Sequence, residues 1–457
     1  MDQPVTSASL RSRIIHSASF ILSGHVLGQI IRLGGNLITT RLLAPDLFGV
    51  MAIVFTVVAG LEMMSDLGIH QSIIRSKNAE KLSFRRTAWV FQILRNIILA
   101  IICFIIAMIL AIFQHANLIP AGQVYGDKNL PIALGIIALS TAIMGFASID
   151  RYLADRQIKF GRGSLLQILM QLVSVITVIA WALVDPSIMA LAFGTLVGQT
   201  FYAAFSHVLF YSGASRFEWN KEAASELFHF GKWLIVSSAL GFITSRADKL
   251  LFGFIMTTAD LGRYAIAMAL IEAIKQVFIK LGHLWFPVLS EIARDRPEKF
   301  SESYYRIRKY QDIVIFLCAG GLMATGDMVI DILYDDRYAA AGWMLQIMAL
   351  SMIFTVFNVK NHILLIEGKT VIFCAIKGIG AVVMLFGVPI AFYTFGIVGA
   401  LLVAASVEIA GNIVVVIYFY YRGMVRPVYE VIFTPFIVLG FFLGYATKEM
   451  YYNYIII

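Results

Sequence analysis

Charge is scarce in this chain. Of its 457 residues only 14% are Asp, Glu, Lys or Arg, against 60% that are hydrophobic. A soluble domain carries roughly 25% charged residues and a disordered one is poor in apolar residues, so both classes are excluded. Cysteine is scarcer still. Cys103, Cys318 and Cys374 are odd in number, lie within apolar runs and show no CxxC spacing, which excludes a disulfide framework and a zinc site. No GxxxxGK[ST] phosphate loop occurs, so ATP hydrolysis by that route is excluded. The histidines, such as His25, His70 and His283, are isolated and offer no metal set. The net charge of +8 is no nucleic-acid footprint, because the basic residues lie in the connections between apolar runs. No cofactor is expected.

What remains is a series of apolar runs of membrane-crossing length, about 20 residues each. They fall near 14–38, 47–67, 88–113, 131–149, 164–184, 187–210, 232–256, 261–285, 311–333, 343–366, 370–393, 396–419 and 430–447. The first run lacks a small-x-small cleavage site and reads as a retained helix. One set of alternate connections carries the basic clusters Arg75 to Arg86, Arg151 to Arg162, and Arg294 to Lys309. The other set holds only Arg41, Lys128, Arg263, Arg337 and Lys448. The first set should face the cytoplasm, together with the N-terminus. The connections are too short for a soluble domain, although 287–310 could lie as amphipathic helix on the surface.

The chain also repeats itself. "APDLFGVMA" at 44–52 is echoed by "TTADLGRYA" at 257–265, and "AEKLS" at 79–83 by "PEKFS" at 297–301, so the offset grows from 213 to 218 residues. Halves of six spans each have the same orientation, the arrangement of parallel repeats that rock about a central cleft. The expected fold is all-α and integral to the membrane, with about twelve to fourteen helices in two pseudo-symmetric six-helix lobes. Residues 1–210 form the first lobe, 211–231 a cytoplasmic linker, 232–420 the second lobe, and 421–457 an extension with one extra helix.

Charges inside such spans cost roughly 2.5–3.5 kcal/mol each and face a cavity or one another. They are Arg32, Glu62, Asp66 and Arg95 in the first half, and Arg246, Asp248, Lys249, Glu272, Lys275, Lys280 and Lys360 in the second, with Glu408 late in the chain. Arg32 and Arg246 stand almost one repeat apart on the first helix of each half. Their guanidinium forks suit a diphosphate, with Lys249, Lys275 and Lys360 as further cations for an anionic substrate. Glu62, Asp66, Asp248 and Glu272 are the candidates for coupling to H+ or Na+. Local neutralisation of Asp248 by Lys249, or of Glu272 by Lys275 or Lys280, is the structural alternative. "GHVLG" (24–28) and "GTLVG" (194–198) have the small-xxx-small spacing of close helix packing.

Three stretches carry a resemblance to a known family: "GQIIRLGGNLITTRLLAPDLFGVMAIVFTV" near the N-terminus, "LADRQIKFGR" at 153–162, and "ELFHFGKWLIVSSALGFITSRADKLLFGFIMTTADLGRYAIA" at 226–267. The chain resembles the polysaccharide transport family of oligosaccharide-lipid flippases, in the multidrug/oligosaccharidyl-lipid/polysaccharide exporter superfamily. The resemblance implies a non-enzymatic protein of the bacterial inner membrane. It would move undecaprenyl-diphosphate-linked glycan repeat units between leaflets by alternating access, alongside a polysaccharide polymerase and glycosyltransferases. The same superfamily contains ion-coupled small-molecule exporters, the alternative reading. Thirteen helices depart from the usual even count.

Overall fold

The computed structural model describes residues 7–120, 122–157, 159–211, 213–295, 300–357, 364, 369–421 and 432–454. Among these residues the chain is helical and contains no strand. It divides into two compact units, Met1–Ala239 and Leu240–Ile457.

The first unit holds α1 (Ser7–Leu42), α2 (Pro45–Met64), α3 (Ile69–Arg75), α4 (Leu82–His115), α5 (Asn129–Gly145), α6 (Asp150–Arg156), α7 (Phe160–Ala182) and α8 (Ile188–Leu209). α2 begins with Pro45 in its first turn and Asp46 beside it, a ring preset for helix entry and a carboxylate at the positive end of the dipole. It ends at a turn in which Asp66 Oδ1 accepts the Gly68 N–H at 2.9 Å. Gly68 sits at φ 60°, where a side chain would be strained, and the chain restarts there as α3. α7 is held from two sides by glycines. A Cβ on Gly24 of α1 would lie 3.0 Å from Ser164 Cβ, and one on Gly28 3.2 Å from Gln171 Oε1. From α8, a Cβ on Gly194 would lie 2.2 Å from Val178 Cγ2 and one on Gly198 2.9 Å from Ser174 Cβ. Both small-xxx-small motifs are therefore packing surfaces.

The second unit takes the rest of α9 (Lys221–Ile255), which starts inside the segment read as a linker. It adds α10 (Thr258–Asp295), α11 (Phe300–Leu333), α12 (Ala341–Met348), α13 (Leu350–Ile353) and α14 (Thr370–Val382), then α15 (Val388–Tyr421) and α16 (Pro435–Tyr454). A π-helical turn, Val383–Gly387, joins α14 to α15. α15 is broken at Gly396 (φ 67°, ψ −159°), conformational space open to glycine alone, at the first residue of the expected span 396–419. The segment 287–310 supplies the ends of α10 and α11 rather than a separate surface helix. The expected span 343–366 is helical as far as Phe357, and most of its remainder lies outside the described residues.

The internal repeat is visible in the element boundaries. α1 ends at Leu42 and α9 at Ile255, and α2 starts at Pro45 and α10 at Thr258, each 213 residues on. α4 (Leu82–His115) and α11 (Phe300–Leu333) correspond at an offset of 218 at both ends. The five-residue growth falls where unit 1 breaks between α2 and α3 while α10 runs on unbroken.

Six helical stretches among the described residues are long and apolar enough to cross a membrane: Pro45–Met64, Leu82–His115, Phe160–Ala182, Ile188–Leu209, Glu302–Leu333 and Ile372–Tyr421. α5 and α6, bent by 64°, make a seventh if taken as one span. The last stretch has 50 residues, about 75 Å of helix, and so covers two expected spans divided at Gly396. α9 and α10 are 35 and 38 residues long, ample for a bilayer, but carry half of the intramembrane charges named above. The lipid-facing surface is plain on α4, where Ile98, Ile101, Phe104, Met108 and Ile112 are all more than half exposed. In water such a face would be a large apolar patch; against hydrocarbon it is matched.

Candidate functional site

The predicted charges fall into three environments. On α9 the buried stripe is Phe242, Ala247, Asp248, Phe252 and Met256, while Ser245 and Arg246 are exposed and Lys249 is half-buried. Asp248 is 5% exposed, yet its partner is not Lys249. Its Oδ2 accepts the hydroxyl of Tyr264, a fully buried residue of α10, and Tyr264 stacks edge-on against Phe252 at 4.9 Å. A buried carboxylate costs several kcal/mol unless hydrogen-bonded, and this bond fixes the α9–α10 hairpin. Asp248 Oδ1 has no partner among the described residues. Glu272 and Lys275, half-buried further along α10, form no ion pair with each other. Arg246, Lys249 and Lys275 thus form no hydrogen bond or ion pair with a described residue.

In unit 1 the expected charges are mostly structural. Arg95 of α4 donates from Nη2 to the carbonyl of Glu62 at 2.6 Å, and from Nε to the Ser65 carbonyl at 2.9 Å and hydroxyl at 3.1 Å. A cation on the last carbonyls of α2 answers both their unmet acceptors and the negative end of the dipole. Arg95 engages the backbone of Glu62, not its carboxylate, and the Glu62 residue is exposed. Arg95→Met should therefore lower stability by about 1.5–3 kcal/mol while Glu62→Gln leaves it within about 0.5 kcal/mol. Thermal unfolding of the purified variants checks the contrast. Asp66 is spent on the α2–α3 turn.

Arg32 is exposed on α1. It and Arg246 are 214 residues apart, whereas the helices that carry them correspond at 213. One residue on a helix is about 100° of rotation, so Arg32 matches Ser245 in register and Arg246 matches Leu33. By the same offset Glu62 corresponds to Lys275, not Glu272. Lys360 lies outside the described residues.

The stretch 153–162 proves to be a fastening. Asp155 meets His70 of α3 at 3.1 Å, and Arg156 Nη1 donates to the carbonyls of Ile73 and Ile74 at 3.0 Å each. From the start of α9, Glu226 accepts from Ser76 at 2.6 Å and Asn78 at 3.1 Å. Ile69, Ile73, Phe84, Trp89 and Leu227 form the apolar core of this end of unit 1. Sequence reasoning missed Tyr264, which reads as one more apolar aromatic, and the backbone-directed role of Arg95. A tyrosine 16 residues from a buried aspartate across a two-residue turn was the available signal.

The profile of a family described as polysaccharide biosynthesis proteins matches residues 38–342. The chain belongs to that family. The chain is 21% identical over 350 residues to the lipopolysaccharide biosynthesis protein WzxC of Escherichia coli (strain K12), covering 74% of this chain and 67% of that one. It is 22% identical over 325 residues to the succinoglycan biosynthesis transport protein ExoT of Rhizobium meliloti (strain 1021), covering 69% of this chain and 61% of that one. Its fold is that of a MATE-family transporter of the MOP superfamily solved facing inward (TM-score 0.71, 13% identity, 88% and 94% coverage). It is also that of the lipid II flippase MurJ (TM-score 0.67, 13% identity, 96% and 99% coverage). The chain is thus a multi-pass membrane protein with a transporter's fold.

Proposed function

We propose that this protein is a flippase for undecaprenyl-diphosphate-linked oligosaccharide units in exopolysaccharide, O-antigen or capsule synthesis at the bacterial inner membrane, with its N-terminus in the cytoplasm. The observation that carries the reading is the family match over 38–342 in a chain with the fold of a lipid II flippase. The cations Arg246, Lys249 and Lys275, which have no partner among the described residues, support it, because a diphosphate is the part of such a cargo that hydrocarbon rejects. Arg246 and Arg32 grip the diphosphate, with Lys249, Lys275 and Lys360 adding charge. The polyprenyl tail stays in lipid, and rocking of the two units re-exposes the head group, driven by H+ or Na+. Glu62, Asp66, Asp248 and Glu272 are the coupling candidates.

Arg32→Ala combined with Arg246→Ala should cut surface polymer at least about tenfold, since a charge-assisted hydrogen bond contributes about 1.5–3 kcal/mol. Polymer at the cell surface and protein in the membrane fraction are measured together. Unchanged polymer at equal abundance would sink the clamp. Ion-coupled export of small molecules is the second reading, favoured by the likeness to the MATE transporter. A deletion strain that accumulates lipid-linked intermediates supports the flippase; one that becomes drug-sensitive with normal polymer supports the exporter.

A further inference from the structure

Within unit 2, α9, α14 and α15 close around a cavity of about 20 Å³, room for one water-sized occupant. Its polar lining is Thr244 from α9, Lys377 from α14, and Glu408 and Asn412 from α15. The walls are close-set. A Cβ on Gly380 would lie 2.9 Å from Thr244 Cγ2, and one on Gly411 2.6 Å from Ile376 Cγ2. Asn412 is only 6% exposed, yet makes no hydrogen bond to a described residue. Lys377 and Glu408, both half-buried, likewise have no hydrogen bond or ion pair among the described residues. The Thr244 hydroxyl donates to the carbonyls of Leu240 and Gly241 at 3.1 Å each, which leaves its oxygen free to accept.

A carboxylate, an amide and a hydroxyl oxygen around a space of this size are the donor set of a hard cation. The set carries one negative charge, and a charge inside a membrane protein demands a counter-charge. Lys377 supplies it from the wall of the same cavity. We propose that Glu408, Asn412 and Thr244 form a monovalent-cation cage whose resident cation is the chain's own Lys377 ammonium, joined to the carboxylate through one water. An alkali ion entering would leave the cavity with a net positive charge, so the cage is closed to Na+, Li+ and K+. Removing the ammonium opens it. The cage is independent of what the cargo is.

The test uses the purified full-length protein and reads its unfolding temperature in sodium, lithium or potassium chloride against choline chloride at equal ionic strength. Wild type is expected to move by less than about 1 °C between salts. Lys377→Met is expected to be raised by an alkali cation over choline by at least about 2–4 °C, as ligand binding to the folded state requires. Lys377→Met combined with Glu408→Gln should lose that response. Wild type stabilised by Na+ over choline would overturn the proposal, since the cage would then be open. So would a folded Lys377→Met variant indifferent to all three cations. Should that variant fail to fold, Lys377→Gln carries the same comparison, and the wild-type arm stands alone as a test.

Discussion

Replacing Gly440 with leucine is expected to leave little folded protein. α16 lies on α11 with its backbone almost touching. A Cβ on Gly440 would fall 2.4 Å from the Leu317 carbonyl oxygen, and one on Gly444 2.9 Å from that of Gly321. From the other side a Cβ on Gly320 would fall 2.0 Å from the Ile437 carbonyl oxygen. These are backbone atoms and cannot turn aside, unlike a side-chain tip. In hydrocarbon there is no apolar surplus to hold two helices together, so close packing and polar contacts carry the association. Two polar contacts cross one end of this seam: Lys448 bonds Asp327, and Tyr452 bonds Asp331 at 2.7 Å. Pushing the helices apart forfeits both terms, a loss at or above the about 1–3 kcal/mol typical of overpacking. Size-exclusion profiles of the tagged protein in detergent check it. Leu443→Ala, on the lipid-facing side of the same helix, should elute like wild type.

The second large effect concerns the ion pair of Arg85 and Asp150, which joins α4 to α6 with side chains 7% and 4% exposed. Arg85→Met should cost about 3–5 kcal/mol, because it strands a buried carboxylate. The double variant Arg85→Met with Asp150→Leu should recover most of that loss, since two buried charges are removed together and apolar volume replaces them. Thermal unfolding of the two single variants and the double one gives the coupling directly. Equal losses in the single and double variants would mean that the pair is held by its backbone contacts and contributes nothing as a pair.

Hydropathy encodes where a span lies but not what its charges touch. Helix positions were legible because a span must be apolar over its length, and the 213-residue repeat appears in the boundaries of α1, α2, α9 and α10. The glycine motifs at 24–28 and 194–198 were legible as packing because their spacing puts both small residues on one helix face. Gly440 and Gly444 share that spacing, in a segment expected only as an extension with one extra helix. The partners of charges were not legible. Asp248 stands beside Lys249 in sequence, but on a helix adjacent residues point about 100° apart, and the phenol of Tyr264 reaches Asp248 from the next helix. Arg95 looked like a charge seeking a carboxylate and serves instead the backbone end of α2. The helix break at Gly68 was hidden as well, because nothing in composition says that "SDLGIH" breaks a helix while "IKLGHL" does not.

That difference at Gly68 sets the lengths of two corresponding helices. α2 has 20 residues, about 30 Å of helix, the thickness of the hydrocarbon it crosses. α10 has 38, about 57 Å, so close to half of it must project into water. In unit 2 the second helix of the repeat therefore runs on as one rigid rod, where its counterpart in unit 1 stops and restarts as α3.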